Sequence, residues 1–387
     1  MRRPLRHPVR TPVAPPSPPL ASERIDDWLD RNAGRLFILP AVLLILAFSL
    51  FPLIISGWLA LSRFRISREG FELRFAGLAN FDKLLDGSQQ FHLLGTSTRI
   101  GATGTVLLIA TAALLAWGTI AYARSGRVSA LGIVGRLIAF PLFGALALML
   151  ATTVGEGGQL GSLSTTLFYV VVGVSLQFAI GTALAFTCAQ RIRGRAFFRV
   201  VFFVPLMVTP VGIAYTFRML ADMSVGPFAP LWQGLGLGEF SWAADAWTAR
   251  LVVVAGDSWQ WIPFIFIIML AAFESQPTDE LEAAELDGAG AWRIFRDITW
   301  PSVAPVAATV VLIRIIEAFK IVDLPNVLTN GGPGIATESL TLHAFIEWRA
   351  LNLGGSAAVA YLLLFVSTIV CVSFFQFVVR PMREARS

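Results

Sequence analysis

The stretch ELEAAELDGAGAWRIFRDITWP, residues 280–301, carries five carboxylates and two arginines between two strongly apolar segments of the chain. Charged side chains in hydrocarbon are costly, which indicates that this stretch lies in water between two membrane-spanning helices. Pro277 and Thr278 end the preceding apolar run, and Asp279 with Glu282 has the spacing of a capping box. A short helix is therefore predicted to begin at Asp279.

A glycine hinge and a second helix are predicted to follow. Gly288 and Gly290 would end the first helix, because glycine is favoured in the left-handed conformation that closes helices. Beyond them, the i, i+3, i+4, i+7 spacing predicts one apolar helix face, formed by Ala291, Ile294, Phe295 and Ile298. Pro301 suits the first turn of the next span. Such an elbow could dock in a groove of a partner protein or lie on lipid headgroups, and the pattern alone leaves both open.

The composition of the whole chain is that of a membrane protein. Its 387 residues are 56% hydrophobic and 14% charged, with a mean hydropathy of +0.70, unlike a soluble globular domain. The net charge of +5 is spread over many short loops, which argues against nucleic-acid binding. Cys188 and Cys371 lie in apolar runs without disulfide or metal-ligand spacing, and we interpret them as packing residues.

Eight segments are apolar and long enough to cross a hydrocarbon core of about 30 Å, which needs about 20 helical residues. They are residues 36–61, 101–122, 137–154, 166–188, 200–221, 251–273, 303–324 and 356–379. The predicted fold class is therefore all-α, a polytopic membrane protein with these eight transmembrane helices. Residues 1–35 are rich in proline and arginine and are predicted to form a disordered tail.

The distribution of basic residues predicts the orientation. An even number of spans places both termini on one side, and if that side is the cytoplasm, 19 Lys and Arg lie inside and eight outside. The positive-inside rule therefore predicts that both termini are cytoplasmic. The first external loop, residues 62–100, holds six of the outside charges, and we expect it to fold as a small external unit. The charged elbow, residues 279–300, then faces the cytoplasm.

The elbow also resembles a known signature. The order is Glu282-Ala283-Ala284, three residues, Gly288, nine residues, Ile298, one residue and Trp300-Pro301, and it resembles the EAA motif of binding-protein-dependent ABC importer permeases. That family usually has leucine at the place of Trp300, which is a packing position. The resemblance implies that the elbow sits in a cleft of a separate ATPase subunit. The coupling residues that it implies are Glu282, Ala283, Ala284, Asp287 and Gly288.

The resemblance covers most of residues 36–380. Residues 38–62, 75–85 and 319–340 are similar to successive parts of maltose-type sugar permeases, and the TNGGPG element points to the half of the heterodimer similar to the larger maltose permease. It implies a type I ABC importer core over residues 166–380, with residues 101–154 as an extra two-helix insertion. The implied cargo is a sugar or a related polyhydroxylated solute.

The same resemblance implies partners and a location. The partners would be a second, different permease, an ATPase dimer and an extracellular or periplasmic solute-binding protein that docks on loops 222–250 and 325–355. The chain would lie in a bacterial inner membrane, surrounded by lipid. It has no GxxxxGK[ST] sequence, so ATP and Mg²⁺ are expected on the ATPase, and no cofactor, catalytic or metal-binding residue is expected here.

Two polar groups inside predicted spans are candidates for the solute pathway, because such groups usually face a wet cavity. The first combines aromatic rings with carboxylate and amide acceptors, as sugar sites do, although an interfacial tryptophan belt is equally open. It comprises Asp257, Trp259, Gln260 and Trp261. The second could instead neutralise itself along one helix; it is the ladder of Arg314, Glu317, Lys320 and Asp323. Gln177 is a weaker candidate, and Pro205 and Pro210 predict a kink in the fifth span.

Two other classes of function stay open at this level. In an ion-coupled secondary transporter the ladder could relay protons, although such transporters are often built from internal repeats and none is found here. A membrane enzyme is the second alternative. Its weakness is that His7, His92 and His343 are scattered along the chain, so no metal or acid–base constellation stands out.

Overall fold

The computed structural model describes residues 21–67, 70–124, 130–153, 158–190, 194–236, 241–380 and 382. The first twenty residues of the predicted tail lie outside this description. The chain divides into two compact units, Met1–Ser56 and Gly57–Ser387. In the first unit, helix α1 (Ala21–Ile45) is followed by a π-helical turn, Leu46–Leu50, and by the start of α2 (Phe51–Ala60). The helix therefore begins at Ala21, inside the segment that was predicted to be a disordered tail.

The second unit is helical, with two small antiparallel sheets. Strands β1 (Ser62–Ser67) and β2 (Gly70–Phe75) form a hairpin, and β3 (Gly95–Thr96) pairs with β4 (Gln159–Leu160). The helices in chain order are α3 (Ala79–Leu85), α4 (Gln90–Leu94), α5 (Ala102–Arg124), α6 (Ala130–Thr153), α7 (Ser162–Phe168), α8 (Val174–Ala189), α9 (Arg195–Phe203), α10 (Pro210–Ala221), α11 (Ala229–Gly234), α12 (Ala246–Glu274), α13 (Thr278–Leu286), α14 (Ala291–Ile294), α15 (Trp300–Ala318), α16 (Asp323–Thr329), α17 (Leu340–Arg349) and α18 (Leu353–Phe374).

Six helical stretches of the described residues are long and apolar enough to cross a membrane, or seven if one bent pair counts as a span. They are Asn32–Ala60, Ala102–Ile120, Ser162–Ala189, Ala246–Glu274, Ala291–Ala318 and Leu353–Val379. The prediction of eight spans was therefore approximate. The third predicted span corresponds to the shorter apolar helix Phe143–Thr153, within α6.

The bent pair lies where the two prolines predicted a kink. Ala196–Met207 and Pro210–Ala221 meet at an angle of 100°. Pro210 occupies the first turn of α10, and the Thr209 hydroxyl oxygen accepts a hydrogen bond from the Gly212 N–H. Because proline lacks a donor and fixes φ, it favours a new helix start at this point over continuation of the old helix.

The centre of the second unit is the contact between α8 and α12. A Cβ atom at Gly181 would lie 2.9 Å from Cβ of Ile265, closer than side chains approach in folded proteins. The glycine therefore allows the two backbones to pack closely, as small residues do between membrane helices. Helix α15 completes this layer, with Val303, Ala307 and Val310 in the same buried cluster as Ile265.

The predicted insertion, residues 101–154, forms the hairpin of α5 and α6. Its second helix contacts α7 and α18, and Leu146 belongs to the buried cluster that those helices share. Across the same contact, the rings of Phe140 and Phe377 lie 6.1 Å apart. The hairpin thus packs laterally on the bundle through one helix, while α5 is largely exposed.

Candidate functional site

The elbow contains the predicted helix and hinge. Helix α13 ends at Leu286, and Gly288 has a φ of +77°, in the left-handed region that glycine adopts without strain. The N–H of Gly288 donates to the carbonyl of Glu285, and the N–H of Ala289 donates to the carbonyl of Ala284, each at 3.0 Å. The hinge prediction is confirmed, because these bonds close α13 at the glycine.

The predicted capping box is wrong. Helix α13 begins at Thr278, with Pro277 in the capping position and no side-chain capping bond. Asp279 therefore lies within the first turn and not before it. Its negative charge still suits that end of the helix, where the backbone N–H groups leave a partial positive charge.

The second elbow helix is not separate from the next span. Helix α14, a π-helical turn at Phe295–Thr299 and α15 form one stretch, Ala291–Ala318. The prediction that a new span begins at Pro301 was therefore wrong. The π-helical turn directly before Pro301 provides a local adjustment where proline removes a backbone donor. The second elbow helix therefore continues without a break into a membrane-spanning helix.

The predicted amphipathic character of this second helix is confirmed for most positions. Ile294, Phe295 and Ile298 are half-buried, whereas Ala291 and the charged residues are exposed. The Phe186 ring on α8 makes edge-to-face contacts with Phe295 and with Phe273 on α12, at 5.1 and 5.5 Å between ring centroids. The apolar face of the elbow therefore packs on α8, and Phe186 links it in turn to α12.

Polar bonds fasten the elbow on its other side. The Gln276 side-chain amide donates to the carbonyl of Thr299 at 3.1 Å, joining the two ends of the elbow. The guanidinium of Arg199 on α9 pairs with the carboxylate of Glu274, the last residue of α12. The elbow is therefore tied to the end of α12, which is itself bonded to α9.

The outer surface of the elbow is exposed. Glu282, Ala283, Asp287 and Gly288 are exposed and Ala284 is half-buried, so the implied coupling residues are accessible to a partner. Leu286 and Trp292 are also exposed, at 89% and 71%, and sequence reasoning did not single them out. Exposed large apolar side chains beside carboxylates are typical of a surface that binds another protein.

Apart from the elbow, a cluster of polar side chains is buried between α8, α12 and α15. The Arg314 guanidinium pairs with the Asp257 carboxylate and donates from Nε to Oε1 of Gln177 at 2.6 Å. The Gln177 amide in turn donates to Oδ2 of Asp257 at 2.8 Å. The ring of Trp261 lies 4.6 Å from the guanidinium carbon. We refer to Gln177, Asp257 and Arg314 as the buried triad.

The predicted pathway residues of α12 do not come together. Asp257 belongs to the buried triad and Gln260 is buried on the same side of the helix, whereas Trp259 points outward and is exposed. The Trp259 ring lies 6.0 Å from the ring of Phe217 on α10. Gln177, the weaker candidate, instead bonds to both charged members of the triad.

The predicted ladder along one helix is wrong. Helix α15 ends at Ala318, so Lys320 lies in the following turn and Asp323 begins α16. Arg314 turns inward to the triad, while Lys320 Nζ donates to the Glu317 carboxylate at 2.6 Å, in a pair that is partly exposed. The ladder is therefore divided: Arg314 pairs with Asp257 on another helix, whereas Glu317 and Lys320 pair with each other as the self-neutralising alternative predicted.

A cavity of about 330 Å³ lies at the end of the bundle where α12 begins. We call this end the far end, because the elbow follows the other end of α12. Its walls come from residues 158–160, 244–250 and 333–336. Arg250 donates from Nε to the carbonyl of Ala336 at 2.6 Å, and its guanidinium lies 4.8 Å from the Trp247 ring. The two predicted docking loops, 222–250 and 325–355, thus meet at this cavity.

A bundle of long apolar helices, with an exposed elbow continuous with one of them and polar groups buried between them, is the architecture of a multi-pass membrane protein. The family model described as the inner membrane component of binding-protein-dependent transport systems matches residues 145–384. The chain belongs to this family, which confirms the resemblance of its elbow. It is a multi-pass permease of the inner membrane.

Individual relatives agree with this family. The chain is 32% identical over 201 residues, 52% of its length and 68% of the relative, to a trehalose/maltose transport permease, MalF, of Thermococcus litoralis. It is 26% identical over 258 residues, 66% of its length and 85% of the relative, to the sn-glycerol-3-phosphate permease UgpA of Agrobacterium fabrum. The fold is similar to a chain of a bacterial alginate ABC transporter solved with its alginate-bound periplasmic protein, with a TM-score of 0.60 at 14% identity, covering 93% of this chain and 98% of that one.

Proposed function

We propose that this chain is the permease subunit of an ATP-driven importer for a sugar or a related polyhydroxylated solute. An extracellular binding protein would deliver the solute, and a second permease and an ATPase dimer would complete the complex. The observation that carries the proposal is the elbow, whose outer surface is exposed and whose second helix continues into a membrane span. A partner that moves the elbow therefore acts directly on the bundle.

In this proposal ATP binding closes the ATPase dimer, which displaces the elbow and turns the transport cavity outward. The hinge at Gly288 sets the angle between the two elbow helices, and the contacts of Phe295 and Gln276 carry the displacement to the bundle. Glu282, Ala283, Ala284, Asp287 and Gly288 are the coupling residues. Both termini lie in the cytoplasm, on the side of the elbow.

The solute-binding protein would dock at the far end. The support is that the two predicted docking loops meet there around a cavity of about 330 Å³. The solute pathway would include Glu317, Lys320 and Asp323, between the last turn of α15 and the start of α16, together with the exposed Trp259 and the buried Gln260 on α12. Asp257 would act through the buried triad, by holding Arg314 and Gln177 in place.

The test is transport by the reconstituted complex. The chain would be purified with its ATPase and second permease, placed in proteoliposomes, and supplied with the binding protein loaded with labelled maltose, trehalose or glycerol 3-phosphate. We expect uptake that requires ATP and the binding protein and that resists dissipation of ion gradients. Uptake that follows an ion gradient without ATP would instead support an ion-coupled transporter.

Orientation is tested separately. Single cysteines at Glu280 and at Glu72 on the β1–β2 hairpin would be probed in intact cells with a thiol reagent that does not cross the membrane. Both positions are exposed, so differences in labelling report the side of the membrane. We expect labelling at residue 72 but not at residue 280, and the reverse result would overturn the cytoplasmic placement of the elbow.

A further inference from the structure

Two histidines that are distant in the sequence meet at the far end of the bundle. His92 lies on α4, His343 lies on α17, and Glu338 precedes α17. Potential metal-ligand atoms of these three side chains all lie within 4.8 Å of one another. The sequence-based view that the histidines are scattered and form no constellation was therefore wrong for this pair.

Glu338 lies between the two imidazoles. His92 Nε2 is 2.7 and 2.8 Å from the two carboxylate oxygens of Glu338, and His343 Nδ1 is 3.7 Å from one of them. Nδ1 of His343 is also 3.0 Å from the hydroxyl of Ser162. Glu338 and His343 are buried, whereas the His92 side chain is 29% exposed.

The donor atoms of the group suit a cation. Glu338 is a buried carboxylate, and a buried carboxylate is unfavourable without a positive partner beside it. Two imidazole nitrogens and one carboxylate oxygen are the donors that zinc-class ions use in sites with an open position.

A supporting second layer of side chains is also present. His343 Nε2 is buried, has no hydrogen-bond acceptor among the described residues, and is 3.9 Å from the carboxylate of Glu347. Glu347 itself accepts hydrogen bonds from Gln89 at 2.7 Å and from Asn352 at 2.5 Å. Histidines that bind a metal through one nitrogen usually direct the other N–H to a carboxylate, which is the role Glu347 would take.

We propose that His92, Glu338 and His343 form a binding site for a divalent cation of the zinc class. His92 Nε2, a Glu338 oxygen and His343 Nδ1 are the ligands, and water completes the coordination. The two imidazole rings now stack with centroids 4.1 Å apart and 16° between their planes, so their lone pairs do not yet converge. Binding requires the ring of His92, the accessible member, to turn out of this stack.

Such a site would tie the segment around α4 to the start of α17. His92 and Glu338 are 246 residues apart in the chain, and Glu338 lies two residues after Ala336, which lines the cavity. A cation held between them would make this part of the far end more rigid. This inference does not depend on the transported solute, because metal binding is measured without transport.

The test is cobalt binding to the purified complex, with an affinity tag that contains no histidine. After treatment with a chelator, Co²⁺ would be added and its visible absorption recorded. We expect one saturable equivalent per chain with the intense bands of low-coordinate cobalt, and displacement by Zn²⁺. His92→Gln and His343→Gln should each abolish these bands. His7→Gln, which replaces the remaining histidine of the chain, should leave them unchanged.

The thermal midpoint gives a second measurement that controls for folding. Zn²⁺ should raise the midpoint of the stripped wild-type complex and of His7→Gln, but not that of His92→Gln, whose side-chain amide can still donate a hydrogen bond to the Glu338 carboxylate. Absence of the cobalt bands, or bands and stabilisation that persist in His92→Gln and His343→Gln, would overturn the proposal. The group would then be a hydrogen-bonded ion pair only.

Discussion

The guanidinium of Arg314 on α15 and the carboxylate of Asp257 on α12 form an ion pair in the interior of the helix bundle, and Gln177 on α8 bonds to both. This relationship joins three spans through polar groups that are withdrawn from lipid. Breaking such a buried pair by removing one partner is costly, because the remaining charge is left without compensation. The triad therefore resists independent movement of the three helices at this depth.

The first prediction concerns the buried triad. Asp257→Asn or Arg314→Met alone should lower stability by roughly 3–5 kcal/mol, the cost of an uncompensated buried charge. The double variant should recover much of this loss, because both charges are gone. Thermal unfolding in detergent, followed by size-exclusion chromatography, measures all four members of the cycle. Losses that simply add would show that the two residues do not act as a pair.

The second prediction concerns the hinge. Gly288→Pro should abolish ATP-driven uptake while membrane insertion is retained, because proline cannot adopt the φ of +77° found there. Gly290→Ala is the matched control, since Gly290 has a φ of −71° and no atom within 4 Å of an added Cβ. We expect near-normal uptake from this control. Full uptake by Gly288→Pro would remove the hinge from the coupling mechanism.

The third prediction concerns the exposed surface of the elbow. Glu282→Lys and Leu286→Ser should reduce the amount of ATPase that co-purifies with the permease, and should lower uptake with it. Because both side chains are exposed, the folded yield of the permease should not change. Glu72→Lys, an equivalent charge reversal on the exposed β1–β2 hairpin, is the control and should leave ATPase binding intact. Unaltered ATPase recovery in both elbow variants would place the partner elsewhere.

The fourth prediction concerns the solute pathway. Glu317→Gln and Gln260→Ala should raise the KM for uptake without lowering assembly with the ATPase. The Glu317–Lys320 pair is partly exposed, and such pairs contribute about 0–1 kcal/mol to stability. A change in uptake by Glu317→Gln would therefore not reflect unfolding. Asp297→Asn, which alters the exposed Arg296–Asp297 pair, is a control for loss of a surface ion pair. A KM equal to that of wild type in both pathway variants would return Glu317 and Gln260 to a packing role.

The fifth prediction concerns pH and the start of α12. The Asp245 carboxylate accepts hydrogen bonds from the N–H groups of Trp247 and Thr248, and the bond from Thr248 contributes most to lowering its pKa. Because the folded-state pKa is depressed, the stabilising effect is present above the ordinary value of 3.8 and is lost as the pH falls through the lower folded value. Asp245→Ala should therefore lower the thermal midpoint at neutral pH, and the difference from wild type should shrink below pH 3.8. A pH-independent difference would show that the carboxylate charge does not contribute.

Local patterns predicted the elbow and most spans because the forces that form them act over short distances. A backbone in lipid must satisfy its own hydrogen bonds, so a long apolar run becomes a helix whatever it packs against. Gly288 ends α13 and Pro210 starts α10 through their own backbone preferences. By contrast, two local predictions were wrong. Helix α13 begins at Thr278, one residue before the predicted cap at Asp279. A π-helical turn before Pro301 lets the second elbow helix continue into α15.

The sequence by itself determined a polytopic helical membrane protein with a charged elbow, because apolar run length, glycine and proline act locally, and the resemblance of its EAA spacing indicated the permease family. Only the tertiary structure decided which polar groups meet. Arg314 bonds to Asp257 and Gln177 on other helices, and not to Glu317 on its own helix. A buried charge needs polar partners, and any helix that packs against it can supply them. His92 and Glu338, 246 residues apart, meet for the same reason. Pairing across such distances depends on how the helices pack, and no local pattern records it.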